Sequence, residues 1–272
     1  MPTINEQNEL IFFDDFSSET LDRSKWNVRV TGLTVNSEQQ AYIDSAETLY
    51  IERDTDASGA GNSVLVIHPR YRPGFVTAEG ETLDFISGRI DTREKMEFTY
   101  GSAAARLKLP AGAGLWPAFW AMGAAAEWPE NGEIDIMESV GEPDWIGVAL
   151  HGPGYSGETP LVNKKYFLPQ DDATAWHVYS VDWSPDCLLF KIDGELIYRT
   201  TRPMVEYFGR WAFDDSKYLI LNFALGGVYP LKINGVRAPY LGMPALTVQL
   251  IKEDQIRIMV DWVKVERTIP GK

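Results

Sequence analysis

The 272-residue chain carries 39 acidic against 25 basic side chains, a formal charge of −14, with 44% hydrophobic and 24% charged residues. This is the composition of a globular chain without disorder, and no apolar run approaches the roughly 20 residues that cross a bilayer. The negative field repels polyanions such as nucleic acid and suits a neutral or cationic partner.

Taken in chain order, the period-two segments begin at residues 63–68 (Ser-Val-Leu-Val-Ile-His) and continue at 105–109, 177–183 and 255–265, each rich in β-branched and aromatic residues. Residues 188–192 and 195–199 flank Asp193-Gly194, the two-residue signal of a type I′ hairpin. No amphipathic helix of three turns is evident, and turn residues separate the strands, so the expected class is an all-β sandwich. No linker or repeat divides residues 1–272, which are expected to form one domain with a core over about 9–267. Two long connections, 152–175 and 228–247, are expected to be functional or mobile loops, and the first eight residues and 268–272 to be loose ends. The single cysteine, Cys187, reads as a small buried hydrophobe. Residues 1–6 lack the basic-then-apolar pattern of a signal peptide.

The most informative stretch is residues 128–138, Trp-Pro-Glu-Asn-Gly-Glu-Ile-Asp-Ile-Met-Glu. Ile, Ile and Met between the acids mark a strand, on which Glu133 and Asp135 share a face. Glu138 falls on the opposite face of a regular strand, and a β-bulge near Ile136-Met137 would return it to the first. Clustered carboxyls raise one another's pKa, a cost without benefit to folding. Glycoside hydrolysis uses that arrangement, because it needs one ionised and one protonated carboxyl, about 5–5.5 Å apart in a retaining enzyme. Surface ion pairs or a hard-cation site remain the alternatives. Trp116 and Trp120, four apart, share one face of a strand and offer flat indole surfaces to sugar rings, or serve as core. With three histidines in the chain, a metal triad is not expected, and His68 and His177 read as structural.

Residues 114–120 (Gly-Leu-Trp-Pro-Ala-Phe-Trp) followed by 132–138 (Gly-Glu-Ile-Asp-Ile-Met-Glu) closely resemble glycoside hydrolase family 16, in its bacterial laminarinase-like branch. The resemblance extends through residues 13–16, 87–90, 151–157, 221–227 and 260–263. It implies a β-jelly roll of two curved antiparallel sheets with an open concave cleft, and endo-hydrolysis of β-1,3-glucan or mixed β-1,3/1,4-glucan. Another β-linked glycan such as a galactan, transglycosylation, or a non-catalytic glycan-binding jelly roll are the alternatives. By the resemblance Glu133 is the nucleophile, Glu138 the acid/base and Asp135 the carboxylate between them. It likewise implies Trp116, Trp120, His151, Asn36, Glu38, Gln39, Arg89 and Asn222 as glycan contacts, with Trp128 at the rim. A structural Ca²⁺ is implied near Asp15 and Asp261, with no cofactor for catalysis. A secreted monomer acting on a polysaccharide, without nucleic-acid or membrane partners, completes the expectation. Two departures from the family pattern stand out, Ser102-Ala103-Ala104 and the connection 229–247.

Overall fold

The computed structural model describes residues 6–59, 61–157, 162–169 and 172–270. One sheet runs, edge to edge, through Val162–Phe167, Trp145–His151, Glu133–Glu138, Leu115–Gly123, Lys217–Leu225, Arg89–Asp91 and Asn27–Val28. A second runs through Glu195–Thr201, Cys187–Ile192, Trp176–Trp183, Gly101–Lys108, Ile258–Pro270, Ser63–Ile67 and Leu49–Arg53, with Glu6–Asp14 also paired to Ile258–Pro270. All of their pairings are antiparallel. A small third sheet joins Gln40–Tyr42, Thr82–Ser87 and Arg70–Val76. The helices are short: Arg202–Glu206, Val228–Asn234 and Ala245–Lys252.

Alternation builds the core between the two large sheets. In Leu115–Gly123 the odd positions Leu115, Phe119 and Ala121 are buried, while Trp116, Trp120 and Met122 face outward and are half-buried. From the second sheet Ala103, Ala105 and Leu107 meet them, and all of these inward residues belong to one apolar cluster. The small alanines let the sheets approach closely around Phe119, Phe223 and Phe190, each fully buried.

Several expectations need adjusting. Of the expected loose ends, residues 6–8 and 268–270 are paired, since Glu6–Asp14 runs against Ile258–Pro270 from Glu6 opposite Pro270 to Asp14 opposite Val263, and residues 1–5 and 271–272 lie outside the described residues. The connection 152–175 contains the edge strand Val162–Phe167, and 228–247 contains the helix Val228–Asn234. Cys187 is half-buried at a strand start, with its thiol 3.4 Å from the Ser184 hydroxyl. The hairpin is as the dipeptide implies, with φ of +51° at Asp193 and +84° at Gly194.

Asp261 locks the second sheet. A register shift between Val260 and Trp262 sets it inside the fold, fully buried. It accepts the Ser58 N–H at 3.0 Å and the Ser58 hydroxyl at 2.6 Å, and pairs with Arg106, whose guanidinium lies 4.6 Å from the Trp176 ring centroid. Removing one partner strands the other's charge, so Asp261→Ala is expected to cost about 3–5 kcal/mol. In a denaturant-unfolding cycle, adding Arg106→Leu to Asp261→Ala should cost less than the two losses summed. Strict additivity would show that the pair is not coupled.

Candidate active site

Gly132 opens the acidic strand at φ +68°, where a Cβ would stand 2.2 Å from the Ala212 carbonyl oxygen, so only glycine permits this approach. Against Trp145–His151, Glu133, Ile134 and Asp135 pair in register with His151, Leu150 and Ala149, but Glu138 pairs with Gly147. Against Leu115–Gly123 the shift recurs, with Asp135 opposite Trp120 and Met137 opposite Phe119. One extra residue therefore sits at Ile136-Met137. Ile134, Ile136 and Met137 all enter the core cluster, whereas Glu133 and Glu138 are half-buried on the other face beside Asp135. The bulge thus turns five-residue spacing into one carboxyl-bearing face.

Each outer acid takes an indole N–H: Trp116 Nε1 donates to Glu138 at 2.9 Å, and Trp128 Nε1 donates to Glu133 at 2.7 Å. Asp135, 3% exposed, is less well served. His151 Nε2 lies 3.2 Å from its Oδ2 without hydrogen-bond alignment, leaving that buried oxygen without a hydrogen-bond partner among the described residues. Burial, with the Asp135 charge next, pushes the Glu133 carboxyl up to about 8. Burial and the Glu138 charge push Asp135 far above the usual carboxylate range. Burial also raises Glu138, against the Trp116 hydrogen bond and the nearby His151. The trio consequently holds protons near neutral pH, in the manner of carboxyls that cannot all ionise together.

The site extends across the strands. Ala118 pairs with both Glu138 and Asn222, and Asn222 pairs with Arg89, giving a row across four adjacent strands spaced about 4.8 Å apart. Trp120 Nε1 donates to Asn222 Oδ1 at 2.6 Å, Asn222 Nδ2 donates to Tyr42 at 3.0 Å, and the Arg89 guanidinium lies 5.0 Å from the Trp120 ring centroid. Beyond them a cavity of about 370 Å³ is lined by Arg29, Thr31, Leu33, Glu38, Tyr42 and Arg89 among others. Glu38 accepts the Gln40 amide at 2.7 Å, and burial raises its pKa. On the opposite flank His151 neighbours Trp128 at 6.3 Å between ring centroids, and its Nδ1 accepts the Gly157 N–H at 3.2 Å.

Trp116, Trp120, His151, Glu38, Arg89 and Asn222 thus share the face or flanks of the acidic trio. The Asn36 side chain is exposed, next to the cavity-lining Val35, and its carbonyl accepts the Val228 N–H at 2.8 Å. The Gln39 amide turns back to the Ser37 carbonyl at 2.6 Å. His68 and His177 are structural, with His68 Nδ1 2.9 Å from the Tyr50 hydroxyl and His177 Nδ1 2.6 Å from Asp193.

Glu133, Asp135 and His151 each offer an atom within 4.8 Å of the others, a metal-sized triangle. The Gly157 N–H on Nδ1 assigns the ring proton to Nε2, however, so the nitrogen facing the acids is a donor and not a ligand. Asp15 and Asp261 lie away from the acidic strand. Asp261 spends both oxygens on Ser58 and Arg106, and Asp15 Oδ1 accepts the Ser17 N–H at 3.2 Å. A guanidinium already neutralises the buried carboxylate, so these residues do not form the oxygen-only shell that Ca²⁺ requires.

Tyr229 and the pair Gln40 and Tyr42 are site residues that the strand pattern does not single out. Tyr229 packs edge-on against Trp116 at 5.3 Å between centroids, and its hydroxyl would meet a Cβ on Gly147 at 3.4 Å. Burial, then the Glu138 and Asp135 charges, raise its phenol, which therefore stays a donor. Gly226-Gly227, just before it, was the available signal: both have positive φ and pack against Leu241 and Asn36.

Comparison with known proteins agrees with this geometry. The family model for glycosyl hydrolases family 16 matches residues 29–218. A β-glucanase of Rhodothermus marinus is 32% identical over 233 residues, 81% of this chain and 77% of that protein. Glucan endo-1,3-β-glucosidase A1 of Niallia circulans is 30% identical over 94% of this chain, which spans 38% of that relative's length. The X-ray structure of endo-β-1,3-glucanase from Pyrococcus furiosus superposes with a TM-score of 0.82 at 32% identity, covering 98% of both chains. The chain belongs to glycosyl hydrolase family 16, and it is a jelly-roll glycoside hydrolase.

Proposed function

We propose that the protein is a retaining endo-β-1,3-glucanase in which Glu133 is the nucleophile, Glu138 the acid/base and Asp135 the group that shares a proton with Glu133. The observation that carries this reading is the bulge-aligned carboxyl trio, with Glu133 and Glu138 half-buried and Asp135 buried between them, each member raised in pKa. A binding module would gain nothing from such an array. The similarity to glucanases acting on β-1,3-linked chains supports the substrate.

In the first step Glu138 gives its proton to the glycosidic oxygen while a Glu133 oxygen bonds the anomeric carbon, releasing the leaving chain. The proton shared by Glu133 and Asp135 resides on Asp135 at that moment, which frees the Glu133 anion. Water, deprotonated by Glu138, then displaces Glu133 and restores both groups. Same-face positions repeat about every 6.7 Å along a strand. Two long glutamates at the ends can therefore lean together over the shorter aspartate. The Trp120, Asn222 and Arg89 flank takes the glycone, and the His151 flank takes the leaving chain. The reaction uses only carboxyls and water, so it requires no cofactor. All the groups come from one chain, consistent with a monomer, and a polymeric substrate fits an extracellular enzyme.

Three outcomes test this. Glu138→Gln should lower kcat on laminarin about 10²–10⁴-fold. Azide added to Glu138→Ala should yield the β-glycosyl azide, and added to Glu133→Ala the α-azide. The reverse pattern would exchange the two roles.

Glu133→Gln should also stabilise the protein, in a pH-dependent way. The carboxyl is raised to about 8 in the fold, against an unfolded value near 4.3. The stability that its proton confers is present below the unfolded value and lost as pH rises toward 8. The unfolding free energy of Glu133→Gln, read from denaturant titrations, should accordingly pull ahead of wild type between pH 5 and 8, by at most about 1.4 kcal/mol per pH unit. A constant difference across that window would contradict the burial of this charge.

With Arg106 closing the Asp15–Asp261 region, EDTA should leave the melting temperature unchanged. A fall of several degrees would mean that a cation binds there after all.

A further inference from the structure

The short helix Arg202–Glu206 and its continuation present an unusual face. Val205 is fully buried and anchors it, yet Met204, Tyr207 and Phe208, at i, i+3 and i+4, are 47%, 84% and 41% exposed. Tyr207 and Phe208 stand edge to face with centroids 5.2 Å apart. The patch is rimmed by charge: Arg202 pairs with Glu206 at 2.9 Å, and Arg210 with Glu130 at 2.6 Å. Contiguous exposed aromatics with a polar rim mark a contact surface, where scattered ones would not.

Its position says which contact. The Phe208 carbonyl would lie 2.8 Å from a Cβ on Gly154, Gly209 packs against the Pro153 carbonyl, and Arg210 N–H donates to that carbonyl at 3.1 Å. Gly154 is three residues from His151, within about 11 Å of it by chain reach. The Tyr155 hydroxyl, beneath, donates to the Arg210 carbonyl at 3.0 Å, and the Arg210–Glu130 pair ties the same segment to the loop bearing Trp128. The segment bearing Tyr207 and Phe208 is thus packed on the turn that follows His151 and tied to the loop that carries Trp128, itself 48% exposed.

We propose that Tyr207 and Phe208 form a distal platform that holds the leaving side of a long neutral β-glucan chain. Flat rings take the apolar faces of pyranoses, and an uncharged chain meets no penalty from the −14 charge of the protein. The platform acts beyond the catalytic subsites, so it serves polymers and leaves short oligosaccharides unaffected. It rests on the β-glucanase reading above.

The test compares kcat/KM on soluble long-chain β-1,3-glucan and on a β-1,3-linked tetrasaccharide. For Tyr207→Ala/Phe208→Ala the polymer value should fall about five- to tenfold, mainly through KM, with the tetrasaccharide value unchanged. Tyr207→Phe should match wild type, because the ring makes the contact. Equal losses on both substrates, or none on either, overturn the platform. A wild-type protein inactive on both would overturn the glucanase reading itself.

Discussion

One additional residue in one strand decides whether the three carboxyls of this fold share a face. Without the shift at Ile136-Met137, Glu138 would face the core, and the pairing of Glu138 with Gly147 and Ala118 would be lost. The core makes the shift affordable. Ile134, Ile136 and Met137 all pack into the apolar cluster between the sheets, so the bulge buries its side chains. Both neighbouring strands carry the complementary register change, which fixes the irregularity from two sides.

The assembled trio then opposes folding, and its surroundings hold it in place without neutralising it. The two indoles are donors only, so they orient Glu133 and Glu138 but can take no proton from them. Asp135 lacks even that support at Oδ2. No Lys or Arg pairs with any of the three among the described residues, whereas buried Asp261 is answered by Arg106. A cation placed equally close to the trio would ionise all three and remove the proton that glycosidic cleavage needs. The same fold therefore treats buried carboxylates in two opposite ways, one for stability and one for chemistry.

What was legible in the sequence was local. Alternation around Ile134 and Ile136 identifies the acidic strand, and Asp193-Gly194 identifies the hairpin, because both signals are contained within a few residues. Reading the bulge required a chemical argument, since period two alone points Glu138 inward. Contacts made across the chain were not legible. Tyr42 reaches Asn222 across 180 residues, and Tyr229 meets Trp116 only because Gly226 and Gly227 fold the chain back. The pairing of the chain ends is hidden for the same reason, since a strand near each terminus has no local partner to announce it.

The protein's net charge and its site make different demands on a ligand. Surface charge is screened within about 8–10 Å at moderate salt, but carboxyls inside a half-buried cleft are screened much less. A neutral glycan feels neither. A negative group placed against the trio would raise the pKa values of Glu133 and Glu138 still further. Burial of the trio with no Lys or Arg paired to it among the described residues thus keeps its pKa values high and makes a further negative charge placed directly against it costly.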